Sequence, residues 1–444
     1  MAEMRPAAEM KDSGIEWIGE IPKDWIAIQL KNVIDYNLSS LPENTAPDFE
    51  FDYIDIGSVT YGKGIEEYQR MKFIDAPTRA RRIVNQDDVI LSTVRTYLKA
   101  VAAIPYREVP VIVSTGFLTM TAKKRITPKF LFYTVQSDYF VDDIEANSNG
   151  ISYPAINASS AVRRKIVLPP LSEQQAIADY LDDCCSKIDE IINEATASIE
   201  EYKELKQAVI FEAVTKGLDK DVPMKDSGIK SVGSIPAHWL INKMNRICNV
   251  ITDYVASGSF ASLAENVIYL DDPDYAMLVR TADISGKSYS MKKVYVSKES
   301  YDFLHNSNLF GGEIILPNIG ASVGDVYMVP KLYKHMTLAP NAIMLKTNQI
   351  DEYYYYLFKC NAGRDLLIDI AQSTAQAKFN KTELRQLRLP QPPKEEQMQI
   401  VRDLAPRVKE IDSLIDEKNE LVEDLQAYKK SLIYEVVTGK RRVV

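Results

Sequence analysis

Met10-Lys11-Asp12-Ser13-Gly14-Ile15, running on through Ile21-Pro22 to Trp25, returns as Met224-Lys225-Asp226-Ser227-Gly228-Ile229, Ile235-Pro236 and Trp239, ten identities in sixteen positions at a shift of 214. A second pair obeys the same rule. Glu173-Gln174, Ile188-Asp189 and Val214-Thr215 recur as Glu396-Gln397, Ile411-Asp412 and Val437-Thr438, an ungapped 43 positions at a shift of 223. The stretches between these blocks differ far more. A period above 200 residues is too long for a solenoid, whose units run to roughly 20–50 residues. The chain therefore reads as a duplicated two-part module: variable domain, long helix, variable domain, long helix. The expected boundaries are 1–167, 168–217, 218–388 and 389–444.

From Ser172 to about Thr215 there is neither proline nor glycine, and Leu181, Cys184, Ile188, Ile191, Ala195, Tyr202, Leu205 and Val209 recur at spacings of 3 and 4, the pattern of a coiled-coil seam. The second copy offers Leu404, Ile411, Leu414, Leu421, Leu425, Tyr428 and Leu432, interrupted by Arg407 and Lys418. Pro169-Pro170 and Pro392-Pro393 stop the preceding strand and set each helix start. The first helix feeds the second domain, and the second helix has only the first domain to return toward. If the two pair, they run antiparallel and bring the chain's ends together in a pseudo-two-fold arrangement. At ~1.5 Å per residue such helices make a rod of roughly 65 Å, near two turns of B-DNA at about 34 Å each.

In the variable domains, short apolar runs bounded by Gly, Pro and Asn predict strands. Tyr53–Gly57, Asp88–Ser92 and Gly116–Met120 align with Leu278–Thr281 (with Ile284 and Gly286), Glu313–Leu316 and Asn341–Leu345. Helical pieces follow at Pro128–Ser137 and Asp351–Cys360, then polar loops at Asn147–Tyr153 and Gln372–Lys378, then a last strand at Ile166–Leu168 or Leu387–Leu389. Each domain is expected to be α+β and mostly sheet.

The 444 residues carry a net charge of −9, which argues against a general polyanion binder. Much of that charge lies in 169–217, with 4 basic against 11 acidic side chains, so the domains themselves are near neutral and hold basic clusters. These are Arg79, Arg81 and Arg82; Lys123, Lys124 and Arg125; Arg163, Arg164 and Lys165; Lys292 and Lys293; and Arg385 with Arg388. Arg95, Tyr97 and Lys99 offer a guanine reader, a stacking ring and a phosphate contact in one run, whose plainer reading is an ordinary strand with an exposed face. In the loops, Ser148, Asn149, Ser152 and Tyr153 in the first copy, and Asn318, Ser322, Gln372, Ser373, Thr374, Gln376 and Lys378 in the second, supply side chains that can reach base edges or phosphates.

Four cysteines, of which only Cys184 and Cys185 are neighbours, and three histidines, His238, His305 and His335, form no disulfide framework and no metal-binding spacing. Gly320-Ala321-Ser322-Val323-Gly324, followed by Asp325 and His335, has the order of an α/β-hydrolase nucleophile elbow, but Tyr327–Val329 reads as a strand rather than the required helix, which favours a glycine-rich turn. No phosphate-binding Gly-x-x-x-x-Gly-Lys-Ser/Thr loop and no methyltransferase or nuclease motif occurs, so this chain is expected to be non-catalytic. No apolar run approaches the ~18 residues of a membrane span, and Met1–Met10 lacks a signal-peptide layout, which makes the cytoplasm the expected compartment.

With this layout assembled, the chain closely resembles the DNA-specificity subunit of type I restriction-modification enzymes. The resemblance rests on the Asp-Ser-Gly-Ile…Ile-Pro…Trp motif at Asp12 and Asp226, the Leu168–Gln174 run Leu-Pro-Pro-Leu-Ser-Glu-Gln, its variant Pro392–Gln397, and the duplicated order of domain and helix. Lys394 departs from the pattern where the first copy has Leu171. The resemblance implies two target-recognition domains, each reading half of a split double-stranded DNA sequence, with the helices setting the gap. It also implies two modification subunits that use S-adenosylmethionine, restriction subunits that use ATP with Mg, and no cofactor in this chain. Unlike domains imply an asymmetric target. A coiled-coil scaffold without DNA reading is the alternative.

Overall fold

The computed structural model describes residues 3–285, 292–371 and 377–443. It divides into two compact units, Met1–Thr196 with Glu420–Val444, and Ala197–Asn419, so each long helix contributes to both.

The first unit holds two four-stranded sheets. One is antiparallel, in the order Val101–Ala103, Val89–Ser92, Phe117–Ala122, Ile34–Tyr36. The other runs Ala80–Val84, Val111–Ser114, Glu50–Ile54, Gln69–Lys72, with its central pair parallel. Helices Pro128–Gln136 and Asp138–Ala146 follow, and Lys165–Leu168 closes the domain by pairing with Ile26–Gln29. The second unit repeats this plan. Cys248–Asp253, Ala342–Thr347, Ile314–Pro317 and Tyr327–Met328 make the first sheet, a five-stranded sheet with Ala276–Val279 parallel to Met336–Leu338 makes the second, and Arg388–Gln391 pairs with Leu240–Lys243. Registers agree between copies: Ser92 faces Phe117 as Pro317 faces Ala342. The α+β expectation holds for both.

Two strands end sooner than their apolar runs suggest. The strand expected over Tyr53–Gly57 stops at Ile54, because Asp55 O accepts the Ser58 N–H at 3.0 Å and turns Ile56–Ser58 into a 3-10 helix. That expected over Leu278–Thr281 stops at Val279, where Asp283 accepts the Arg280 N–H at 2.9 Å and starts the short helix Thr281–Ile284. In both places a polar side chain or carbonyl offers the backbone a closer partner than the sheet ladder. Gly286 lies outside the described residues.

The long helices span Leu171–Lys216 and Lys394–Val437. The strands before them end at Leu168 and Gln391, and the second proline of each pair accepts the first helical hydrogen bonds, Gln174 N–H to Pro170 O and Gln397 N–H to Pro393 O, both at 3.0 Å. The two starts are alike although Lys394 replaces Leu171, because that position is exposed in both. Asp189 takes Lys429 at 2.7 Å in the first unit and Lys206 pairs with Asp412 in the second. The order of partners is opposed, so the helices pack antiparallel.

The expected seam needs correcting. Leu181, Ile188 and Ala195 are buried as expected, but Ile191 and Leu205, and in the second helix Leu421 and Tyr428, are exposed. The inward line instead runs Ile177, Leu181, Cys185, Ile188, Ile192, Ala195, Ile199, Tyr202, Lys206, Ile210, Ala213, ten steps over 36 residues. That is the ~3.6-residue period of an untwisted α-helix, and a strict heptad drifts off it by about 20° per repeat.

The repeated motifs meet one another inside each unit. Trp25, fully buried, donates its indole N–H to Glu173 at 2.8 Å, and Trp239 donates to Glu396 at 3.0 Å. Gly439, just past the second helix, packs on Pro22 and Trp25, as Gly217, just past the first, packs on Trp239 and Glu396. Arg441–Arg442 then pairs with Glu3–Met4, so both ends of the described chain lie in the first unit.

Asp52, buried on Glu50–Ile54, takes ion pairs from Arg70 at 2.6 Å and Arg107 at 2.7 Å. Burial pushes its carboxyl upward, but the two guanidiniums outweigh burial and hold it below the ordinary carboxylate range. A lowered folded-state value gives stability that is complete above the unfolded value of about 4 and is lost as pH falls through the folded value. Asp52→Asn should therefore cost about 2 kcal/mol at neutral pH, a figure held down because the arginines are half in water. The loss should shrink in acid. Urea unfolding at about pH 7 and about pH 3 makes the comparison, and equal losses at both would remove the ion pairs as the cause.

Candidate nucleic-acid interface

Arg95, Tyr97 and Lys99 do not form a strand. After Val89–Ser92 the chain makes a three-residue 3-10 turn, Thr96–Leu98, flanked by two left-handed residues, Arg95 (φ 52°, ψ 50°) and Lys99 (φ 49°, ψ 35°). The turn closes through Leu98 N–H to Arg95 O at 2.9 Å. Its base is anchored on both sides, since Thr93 N–H donates to Gly116 O at 2.8 Å and Thr93 O accepts from Ile156 N–H at 2.9 Å. The polar loop is stitched to it, Val94 bridging Ala155 and Ala155 bridging Asn149. The first-copy candidates Arg95, Tyr97, Lys99, Asn149, Ser152 and Tyr153 thus share one rim.

The second domain builds the same rim. Asn318 N–H donates to Asn341 O at 3.2 Å, Asn318 O accepts from Phe379 N–H at 3.1 Å, and Ile319 bridges Lys378. The turn again closes three residues on, Val323 N–H to Gly320 O at 3.1 Å. By these bonds Arg95-Thr96-Tyr97-Leu98-Lys99 and Gly320-Ala321-Ser322-Val323-Gly324 are equivalent, and both flanking positions are left-handed in both copies, with Gly320 at φ 88° and Gly324 at φ 96°. The Gly-x-Ser-x-Gly motif is explained by this turn. His335 stacks on Tyr275 at 4.4 Å and Asp325 accepts from the Tyr327 hydroxyl at 3.2 Å, so the order Ser322, Asp325, His335 assembles no hydrolytic relay.

Glycine adopts the left-handed conformation without strain, whereas other residues lose about 1–2 kcal/mol there. The first domain carries that cost twice, at Arg95 and Lys99, and the two side chains do different things. Lys99 is tethered to Asp142 and lies 3.8 Å from Glu145; burial lowers its pKa, and the carboxylates outweigh this and raise it. Arg95 is exposed and lays its guanidinium over the Tyr153 ring at 5.2 Å. Tyr153 and Tyr97 are themselves 66% and 49% exposed, and Ile151 is wholly exposed. Ile151 and Leu98 carry no mark in the sequence, because the side chains that reach base edges or phosphates are polar. An isolated loop isoleucine gives no signal until its exposure is known.

The other candidates lie elsewhere or are engaged. Arg81 and Arg82 sit on Ala80–Val84 in the other sheet; Arg81 stacks on Phe73 at 4.9 Å, and burial lowers the pKa of Arg82. Lys123 pairs with Asp35 at 3.0 Å, while Lys124 and Arg125 are exposed just before the helix Pro128–Gln136. The Ser148 hydroxyl caps Ile144 O at 2.8 Å. Lys292 pairs with Asp271 at 3.0 Å, with Lys293 exposed beside it. Asn318 turns its amide inward and donates to Phe379 O at 3.0 Å, which anchors the loop after it. Gln372, Ser373, Thr374 and Gln376 lie outside the described residues. Among the described residues no helix is long and apolar enough to cross a membrane, and no group of three or more His, Cys, Asp or Glu is placed to hold a metal.

Comparison with known proteins bears on what this duplicated rim belongs to. Residues 22–201 and 257–424 match the family described as the type I restriction modification DNA specificity domain. The type I restriction enzyme MjaVIII specificity subunit of Methanocaldococcus jannaschii is 24% identical over 95% of this chain and 94% of its own length. The putative type I restriction enzyme MjaX specificity subunit of the same organism is 26% identical over 96% of each. A solved chain, from work on complex assembly and conformational transition of the type I restriction-modification system, shares the fold with a TM-score of 0.72 at 20% identity, over 95% of this chain and 99% of that one. Matched by that family through most of both repeats, the chain belongs to the type I restriction-modification DNA specificity family.

Proposed function

We propose that this chain is the DNA-specificity subunit of a type I restriction-modification complex, reading a bipartite, asymmetric double-stranded target and positioning methyltransferase and restriction subunits. The observation that carries this reading is one backbone turn presented twice with different side chains, Arg-Thr-Tyr-Leu-Lys in one domain and Gly-Ala-Ser-Val-Gly in the other. A common scaffold with unlike rims suits two unlike half-sites, because base identity is read by side chains while the scaffold sets their position. The long helices would set the unread gap and offer their exposed faces to the modification subunits. S-adenosylmethionine, ATP and Mg would act on the partner subunits, in the cytoplasm.

The test is an exchange of residues 26–167 for the matching domain of another specificity subunit, followed by mapping of N6-methyladenine in DNA modified by the assembled complex. One half-site should change, with the other half-site and the gap retained. A change in both halves would defeat the modular reading.

A further inference from the structure

Arg95 occupies a place that the fold reserves for glycine. Its counterpart Gly320 takes the same left-handed turn with a hydrogen atom for a side chain, whereas the first domain puts there the longest cationic side chain available. A strained residue persists where the surrounding structure holds it, and such strain gathers at functional sites. Here the hold is visible in the Thr93 anchors and the Val94–Ala155 bridge on either side. The guanidinium has no ion-pair partner among the described residues. The side chain is exposed, and its Cζ lies over the Tyr153 ring, 5.2 Å from the centroid. An exposed guanidinium held over an aromatic face, with no ion-pair partner, is suited to bidentate donation to a base.

On the specificity reading given above, we infer that Arg95 is a specificity-determining residue of the first domain. It donates to O6 and N7 of one guanine in the major groove, and Tyr153 is its positioning residue. Lys99, held by Asp142 and near Glu145, braces the turn instead of touching DNA. The second domain, with Gly320 in that place, reads its half-site without a counterpart.

The experiment compares the assembled methyltransferase complex containing the wild-type chain with complexes containing Arg95→Gly, Tyr153→Ala and Tyr153→Phe. The readout is N6-methyladenine mapping on a randomised target library, together with the melting temperature of each chain. Arg95→Gly should relax one guanine position of the first half-site, lowering discrimination there about 5- to 150-fold, as expected for loss of a bidentate contact. The rest of that half-site, the gap and the second half-site should persist. Because glycine suits the turn, the melting temperature should not fall and should rise by about a few degrees. Tyr153→Ala should relax the same position by a smaller factor, and Tyr153→Phe should restore its reading. A bipartite motif that Arg95→Gly leaves unchanged overturns the assignment while leaving the specificity role standing. Uniform loss at all sites, with every base still read, makes Arg95 a phosphate contact and also overturns it. A wild-type complex that yields no bipartite motif overturns the specificity reading, and the assignment with it.

Discussion

Gly439→Ala should lower the stability of the first unit by about 3 kcal/mol or more, the sum of a left-handed backbone penalty and overpacking of a closed contact. Gly439 has φ 74°, and a Cβ built on it falls 2.5 Å from Cδ and Cγ of Pro22 and 3.0 Å from the Trp25 ring. Neither neighbour can yield. The proline ring is rigid, and Trp25 is fully buried with its N–H committed to Glu173. Two other glycines calibrate the effect. Gly14 has φ 66° and nothing within 4 Å of the new carbon, so Gly14→Ala should show the backbone penalty alone, about 1 kcal/mol. Gly217, the equivalent position in the second unit, meets Glu396 Oε1 at 3.1 Å and Trp239 at 3.3 Å and should fall between them. Urea unfolding of the three variants gives the order, and a Gly439→Ala midpoint equal to that of Gly14→Ala would mean the contact with Pro22 is loose.

Gln174→Leu should cost a similar amount, about 3 kcal/mol, for a different reason. Gln174 is fully buried. Its side-chain carbonyl accepts the Thr127 N–H, and its amide donates to Arg125 O and Pro169 O, all at 2.9 Å. Leucine fills much of the same volume but takes the partner from one N–H and two carbonyls, at about 1–3 kcal/mol for each group left unmade. Relaxation recovers part of that sum, and partial access of water to the Thr127 end lowers it further. The neighbour Gln175, exposed and bonded to Asp179 at 2.9 Å, is the control, and Gln175→Leu should stay within about 0.5 kcal/mol. Thermal unfolding of both separates them, and equal shifts would show that Gln174 is dispensable. Gln397 makes the matching set with Ile350 N–H, Gln349 and Pro392 O, so Gln397→Leu should repeat the loss in the second unit.

These two sites show why the duplicated motifs were legible while their purpose was not. Ile-Pro…Trp, Glu-Gln and the Val-Thr…Gly at each helix end stand far apart in the chain, and repetition alone marks them. Their reason is a junction. The tryptophan closes on the glutamate at the start of one long helix and on the glycine at the end of the other. The duplicated rim was legible in part. Arg95, Tyr97, Lys99, Asn149, Ser152 and Tyr153 stand out by residue type and share one rim, yet the ring beneath the Arg95 guanidinium is Tyr153 rather than its near neighbour Tyr97. Arg81, Lys123 and Lys292 meet the same criterion and lie against Phe73, Asp35 and Asp271, because a basic cluster in sequence says nothing about which carboxylate or ring folds against it.

By itself the sequence determined the duplication, the two long helices with their proline-defined starts, and the central strands of each sheet, since these rest on local periodicity and on identity at a fixed shift. Tertiary structure alone decided which face of each helix is inside. A stripe of period 3.6 and a heptad of 3.5 are nearly alike over two turns, and only packing along the whole helix buried Ile177, Cys185 and Ile199 while leaving Ile191 and Leu205 in water. It also decided what Gly-x-Ser-x-Gly is. Five residues that match a hydrolase elbow in sequence become the counterpart of Arg95–Lys99 once Asn318 and Thr93 are seen making the same backbone bonds. Hydrogen bonds between residues 23 to 63 positions apart fix that equivalence, and no local propensity encodes them.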